Sequence, residues 1–199
     1  MHRLECECGE LSGEVDVTAS CNRGICYCTD CQAFAYFLGA AERVLDARGG
    51  TDIVQTSPQA VRLIRGRQHV ACVRLTSDGL MRWYAACCNT PIGNTPPNYR
   101  LSFVGLIHCC LSDLERSLDA SFGPSRMRVH TGSAWDEPKP RGRGVVRAVV
   151  RLGSMMLRAR LSGAYRDTPF FGPDGVPMVA PKVLSAEEHA AVMGLVARH

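Results

Sequence analysis

Cys26-Tyr27-Cys28-Thr29-Asp30-Cys31 places three thiols within six residues. In an extended backbone, side chains two apart point the same way, so Cys26 and Cys28 share a face, and a two-residue knuckle brings Cys31 round to the same point. These are three corners of a tetrahedron. Zinc held by thiolates takes four donors at about 2.3 Å, so a local trio leaves the fourth place to a distant cysteine, a water or a substrate. The occupant of that corner separates a structural site from a catalytic one. The plainer reading is a closed structural site, or a set of buried free thiols. Three thiolates around Zn²⁺ make a weak electrophile whose preferred fourth ligand is itself soft. A substrate thiol bound there would have its pKa lowered and would stand ready to meet a small carbonyl compound.

Two further clusters frame the trio. Leu4-Glu5-Cys6-Glu7-Cys8 alternates at period two up to Gly9, which reads as a strand with both thiols on one face. Ala85-Ala86-Cys87-Cys88-Asn89-Thr90-Pro91 suits a tight metal knuckle, because Asn tolerates a left-handed backbone. The chain has eleven cysteines, an odd number grouped as Cys-x-Cys, Cys-x-Cys-x-x-Cys and Cys-Cys. That grouping fits metal binding in a reducing compartment, the cytoplasm, better than a disulfide framework.

The elements that must position these groups are mostly strands. Glu14 to Val17 and Asp52 to Gln55 read as short strands, and Gln32 to Leu38 and Ala41 to Leu45 as helical turns around Gly39. Val61 to Arg65, Val70 to Leu75 and Leu80 to Tyr84 read as an antiparallel meander, punctuated by Gly66 and by the hairpin cue Ser77-Asp78-Gly79. Leu101 to His108 closes the sheet. Beyond it, Ser112 is expected to cap a helix through Leu118, Val145 to Ala164 has helical spacing, and Ser185-Ala186-Glu187-Glu188 is a capping box opening a last helix to Ala197. Pro169 to Pro181 is expected to wrap over the body as a loop. The reading is a β-rich zinc domain over residues 1–107 and a helical, Arg-rich extension over 108–199, α+β overall.

Composition is that of a soluble globular chain, with 46% hydrophobic and 21% charged residues among 199, which excludes wholesale disorder. No run reaches the roughly 18 apolar residues of a membrane span, and the first residues show no apolar leader. The net charge of +4 is uneven. Residues 126–166 hold nine Arg and Lys139 against Asp136 and Glu137, a balance of +8, whereas 1–125 and 167–199 each come to −2. Along Val145 to Ala164, Val145, Val149, Leu152 and Met156 fall on one stripe, and Arg143, Arg147, Arg151 and Arg158 on another. Such a helix packs on the domain with a solvated Arg face, or meets a membrane surface or nucleic acid.

The order Cys6-x-Cys8-Gly9, Cys26-x-Cys28-x-x-Cys31, Gly79-x-x-Arg82 and Cys88-Asn89-Thr90-Pro91 resembles the glutathione-dependent formaldehyde-activating enzyme family, which includes centromere protein V, over about the first 105 residues. The resemblance implies an antiparallel, zinc-binding Mss4-like fold. It implies a structural zinc on Cys6, Cys8 and Cys88 and a catalytic zinc on Cys26, Cys28 and Cys31. The activity implied is of carbon–sulfur lyase type: reversible addition of glutathione to formaldehyde or another small aldehyde. The family's last cluster is usually Cys-x-x-Cys-Gly, and here Ala85 and Asn89 stand at its first and last places. The structural site is then one ligand short, with Cys87 and Cys21 as candidates for the fourth.

Glutathione would also need partners for its carboxylates, and Arg23, Arg62, Arg65, Arg67 and Arg82 are candidates, each with solvation as the plainer alternative. Asp30 can orient a ligand or simply form a turn; Tyr27 lies beside it. The six histidines have no ligand spacing, and Trp83 and Tyr84 read as sheet packing. The competing function is a non-catalytic zinc module that engages nucleic acid or a protein partner through the basic helix 143–160, with a homo-oligomer possible in either case.

Overall fold

The computed structural model describes residues 1–111, 113 and 115–199. Among them the strands are β1 (His2–Glu5), β2 (Ser12–Val15), β3 (Asn22–Cys26), β4 (Thr51–Thr56), β5 (Val61–Arg65), β6 (Val70–Arg74), β7 (Met81–Ala85), β8 (Thr90–Thr95), β9 (Val104–Ile107), β10 (Met127–Val129) and β11 (Lys182–Val183). The helices are α1 (Thr29–Phe37), α2 (Ala41–Val44), α3 (Leu118–Phe122), α4 (Val145–Ser162) and α5 (Ala186–Val196). The fold is α+β with a β-rich core.

Two sheets form. The small one runs β1-β2-β5, all antiparallel, and the large one runs β10-β3-β4-β9-β8-β7-β6-β11. The expected meander is corrected here: β6 and β7 pair as an antiparallel hairpin, but β5 leaves them and pairs with β2. The reason is side-chain burial. In β5 only Val61 is fully buried, which suits a strand with one covered face, whereas β7, β8 and β9 at the centre of the large sheet are buried along nearly their whole length. Residues alternate between two cores: Cys72 and Leu106 face the cluster around Trp83 and Phe170, while Val73 and Ile107 face Phe34, Leu38 and Val196 under α1 and α5. The loop after residue 169 wraps as expected, setting the Phe170 ring tilted at 5.2 Å and the Phe171 ring edge-on at 5.9 Å from Trp83.

The chain beyond β9 lines both edges of the large sheet, since β10 adds parallel to β3 and β11 parallel to β6. Gly24 permits the first of these joins: a Cβ there would stand 2.4 Å from the Met127 carbonyl oxygen. The expected cap at Ser112 lies outside the described residues, and α3 is instead capped by Ser117, whose Oγ accepts from the Ala120 amide. Ser185 and Glu188 close the expected capping box on α5. The apolar stripe expected to anchor the long helix is also corrected. The buried row of α4 is Ala148, Met155 and Ala159, roughly 70° round from Val145, Val149, Leu152 and Met156. Small alanines let the helix backbone approach β3 closely enough for Asn22 Nδ2 to donate to the Ala148 carbonyl at 3.0 Å.

Candidate metal centres

Four cysteines meet between the two sheets. β1 stops at Glu5, so Cys6 and Cys8 do not extend a strand, as alternation suggested, but sit in a turn closed by Gly9 at φ 76°. In that turn the Gly9 amide donates to the Cys6 carbonyl, and the Leu11 amide donates to Cys6 Sγ at 3.2 Å. From the other side comes the β7–β8 turn, Ala86 to Asn89, with Asn89 left-handed at φ 55°. That twist breaks the two-fold alternation of neighbouring side chains, and Cys87 and Cys88 both reach the cluster. Ala85 is buried at the end of β7, and Cys87 is the residue that completes the four-sulfur group. Cys21 stands elsewhere, beside Phe122.

The sulfurs are spaced for an ion. Cys6–Cys8 is 3.6 Å, Cys6–Cys87 3.7 Å, Cys8–Cys87 3.3 Å and Cys87–Cys88 3.8 Å. A tetrahedron of sulfurs about 2.3 Å from its centre has edges of about 3.8 Å, whereas a disulfide bond is about 2.05 Å. All eleven cysteines are unbridged. Electrostatics favour the ligand form at one position: burial raises the Cys88 thiol, but the Thr90 hydroxyl and the Cys8 and Thr90 amides outweigh it and leave the group at about 6. The residues fit a metal that prefers four thiolates.

The second cluster sits at the junction of β3 and α1. Cys26 ends the strand, Cys28 is the residue capping the helix, and Cys31 lies in its first turn, with the Cys31 amide donating to the Cys28 carbonyl at 3.0 Å. The knuckle anticipated between Cys28 and Cys31 is therefore the start of a helix, whose amide end favours negative charge. Cys26 and Cys28 are 3.4 Å apart, and all three sulfurs lie within 4.8 Å of one another. Among the described residues no fourth Cys, His, Asp or Glu joins them. Cys26 and Cys31 are buried against Ile53 and Val129, and Cys28 is the more open of the three. Mutual hydrogen bonds with Cys28 and Cys31, with burial, push Cys26 up. Cys31 is held well below the usual thiol range by the hydrogen bonds from Cys26 and Cys28 and then by the Arg82 guanidinium.

Arg82 is the support that spacing did not reveal. It is 2% exposed, donates to Asp30 Oδ2 at 3.1 Å and Asn94 Oδ1 at 3.3 Å, and lies over the Phe34 ring. Its charge faces Cys31, so it serves the trio and is not free for a distant carboxylate. Asp30 is its partner, turned away from a ligand role. Arg23 is likewise occupied by Asp52 and Asp119. Arg62 and Arg65 stand on β5 in the small sheet, with Arg67 just beyond, away from the trio. Tyr27 is buried with its hydroxyl near Asp46. Gln32 was missed altogether: its Nε2 donates to the Tyr27 and Ser133 carbonyls, and its Oε1 accepts from Trp135, which clamps the cysteine loop to the C-terminal half of the chain. A polar side chain in an apolar helix run was the available signal.

No curated protein matches the chain. A crystal structure of a Rhodobacter sphaeroides protein, a structural-genomics target, is similar over 56% of this chain and 89% of its own, at 16% identity and a TM-score of 0.38. Residues 1–178 match the model of DUF6151, a family of unknown function, and the chain belongs to that family.

Proposed function

We propose that the chain is a cytoplasmic zinc enzyme of carbon–sulfur lyase type that acts on the adduct of glutathione, or another thiol, with a small aldehyde, as its resemblance to the formaldehyde-activating family suggests. One observation supports this reading above the others: the chain pairs a four-sulfur cluster with a three-sulfur cluster that has no fourth protein donor among the described residues. Cys6, Cys8, Cys87 and Cys88 would hold a structural zinc in the unit of residues 1–107, with 108–199 as an extension. Cys26, Cys28 and Cys31 would hold the working one. Zinc bound there would supply a Lewis-acid corner at which a guest thiol is favoured as thiolate.

The chain's own residues contribute the rest. Cys31, kept as thiolate by its neighbours and Arg82, is preset to ligate. Arg82 offsets the net negative charge of three thiolates around a dication, which the apolar surroundings of Ile53 and Val129 would otherwise penalise. Gln32 and Trp135 fix the loop so that the three sulfurs stay convergent. The overall reaction is balanced without a redox partner: the thiol sulfur bonds to the carbonyl carbon, the carbonyl π bond opens, and the thiol proton ends on oxygen.

Titration calorimetry of the zinc-loaded chain with glutathione tests the proposal. Saturable binding that disappears in Cys28→Ala and on removal of the metal is the expected result, together with faster hemithioacetal formation. Unchanged glutathione affinity in a folded, metal-free Cys28→Ala chain would refute it.

A further inference from the structure

Helix α4 turns its apolar side to solvent. Opposite the buried Ala148, Met155 and Ala159, the row Val146, Val150, Leu157 and Leu161 is 80%, 67%, 59% and 80% exposed. At 100° per residue these four lie within an arc of about 60°. Polar residues normally occupy the solvent pole of a helix, so four large aliphatic side chains in line mark a surface that something else covers.

The borders of the row say what that is. Arg147, Arg151, Arg158 and Arg160 are the charged residues of α4, with no acid among its eighteen. Arg147 and Arg158 lie along one border. Along the other, Arg160 and then Arg166 stack on Tyr165 at 5.2 Å and 4.8 Å. Beside Arg147 the surface sinks into a cavity of about 440 Å³, lined also by Arg126 and Arg151 and by Arg23, whose charge Asp52 and Asp119 already pair. The helix is not long and apolar enough to cross a membrane.

We propose that α4 lies flat in the surface of an anionic phospholipid bilayer, with Val146, Val150, Leu157 and Leu161 among the upper acyl carbons and the arginines on the head-group phosphates. The charge pattern argues against the alternatives. A second copy would set the same acid-free, Arg-rich helix against itself, and like charges across an interface are unfavourable. A nucleic acid would satisfy the arginines but leave the aliphatic row in water. The proposal does not depend on what the cysteine clusters hold.

Vesicle co-sedimentation tests it on the full chain. Binding is expected to vesicles of phosphatidylcholine with phosphatidylglycerol and not to phosphatidylcholine alone, and to weaken with salt. Val146→Ser, Val150→Ser and Leu157→Ser together, all at exposed positions, should lower affinity at least tenfold with an unchanged circular dichroism spectrum. Arg147→Gln, Arg158→Gln and Arg160→Gln together should lower it roughly a hundredfold. Any of these results would overturn the proposal: no binding to the anionic vesicles, undiminished binding by the serine variant, or a wild-type dimer in solution that the serine variant converts to monomer. Binding to duplex DNA that the serine variant retains in full, with vesicles left unbound, would do so as well.

Discussion

Removing the charge of Arg82 weakens the trio and the fold at once. In Arg82→Gln, the side-chain Oδ1 of Asn94, on a residue only 4% exposed, loses its charged donor. The Asp30 carboxylate loses a charged partner too, but at 51% side-chain exposure it is largely resolvated and adds little. A hydrogen bond from a charged donor is worth about 1.5–3 kcal/mol and an unsatisfied buried acceptor costs about 1–3 kcal/mol, so a loss of about 2–3 kcal/mol is expected in urea unfolding. Cys31 is held low partly by this guanidinium. A ligand whose thiol pKa is depressed loses its metal as pH falls, and raising that pKa moves the loss to higher pH. The midpoint of cobalt uptake by the trio, read from thiolate-to-metal absorption as the difference from Cys28→Ser, should rise by about one pH unit in Arg82→Gln. Stability within about 0.5 kcal/mol of the parent and an unshifted midpoint would refute the assignment of Arg82 as support for the trio.

Other perturbations follow from the packing. Phe170→Ala empties a fully buried site against Trp83 and should cost about 3–5 kcal/mol; a melting temperature unchanged from the parent would show that the wrapped loop is not part of the core. Ser185→Ala removes one arm of the capping box on α5 and should cost about 1 kcal/mol by urea unfolding, with metal content unchanged. Burial pushes the Cys72 thiol from 9.0 to about 12, so the stability it contributes as a neutral group is complete below pH 9.0 and is lost as pH rises toward its folded value. The parent should therefore lose about 1.4 kcal/mol per pH unit above that point relative to Cys72→Val, and parallel pH profiles of the two would contradict it.

Much of this was legible from residue pattern, for identifiable reasons. Period-two alternation marked β4, β5, β6 and β7 because each faces at least one apolar core, and cysteine spacing marked both clusters because ligands must converge. The pattern failed where tertiary contact overrides it. Thr90–Thr95 carries Pro91, Gly93 and Asn94, all depleted in strands, yet forms β8: Ile92 bulges opposite the Trp83–Tyr84 step, and Gly93 lets Gly105 of β9 come close. β10 and β11 are edge strands of three and two residues, too short for a periodic signal. Two-fold alternation kept Cys87 and Cys88 apart on paper, and a single left-handed residue, Asn89, brought them together. The buried face of α4 was misplaced because alanines, not valines, make its closest approach.

Elemental analysis under chelator challenge tests the proposed pair of metal centres most directly. Two zinc ions per chain are expected, one lost readily and protected by glutathione, the other retained. Cys28→Ser should abolish the labile ion alone and Cys8→Ser the retained one. A single ion per chain that survives Cys28→Ser, or two ions that leave together whether or not glutathione is present, would contradict an open site beside a closed one.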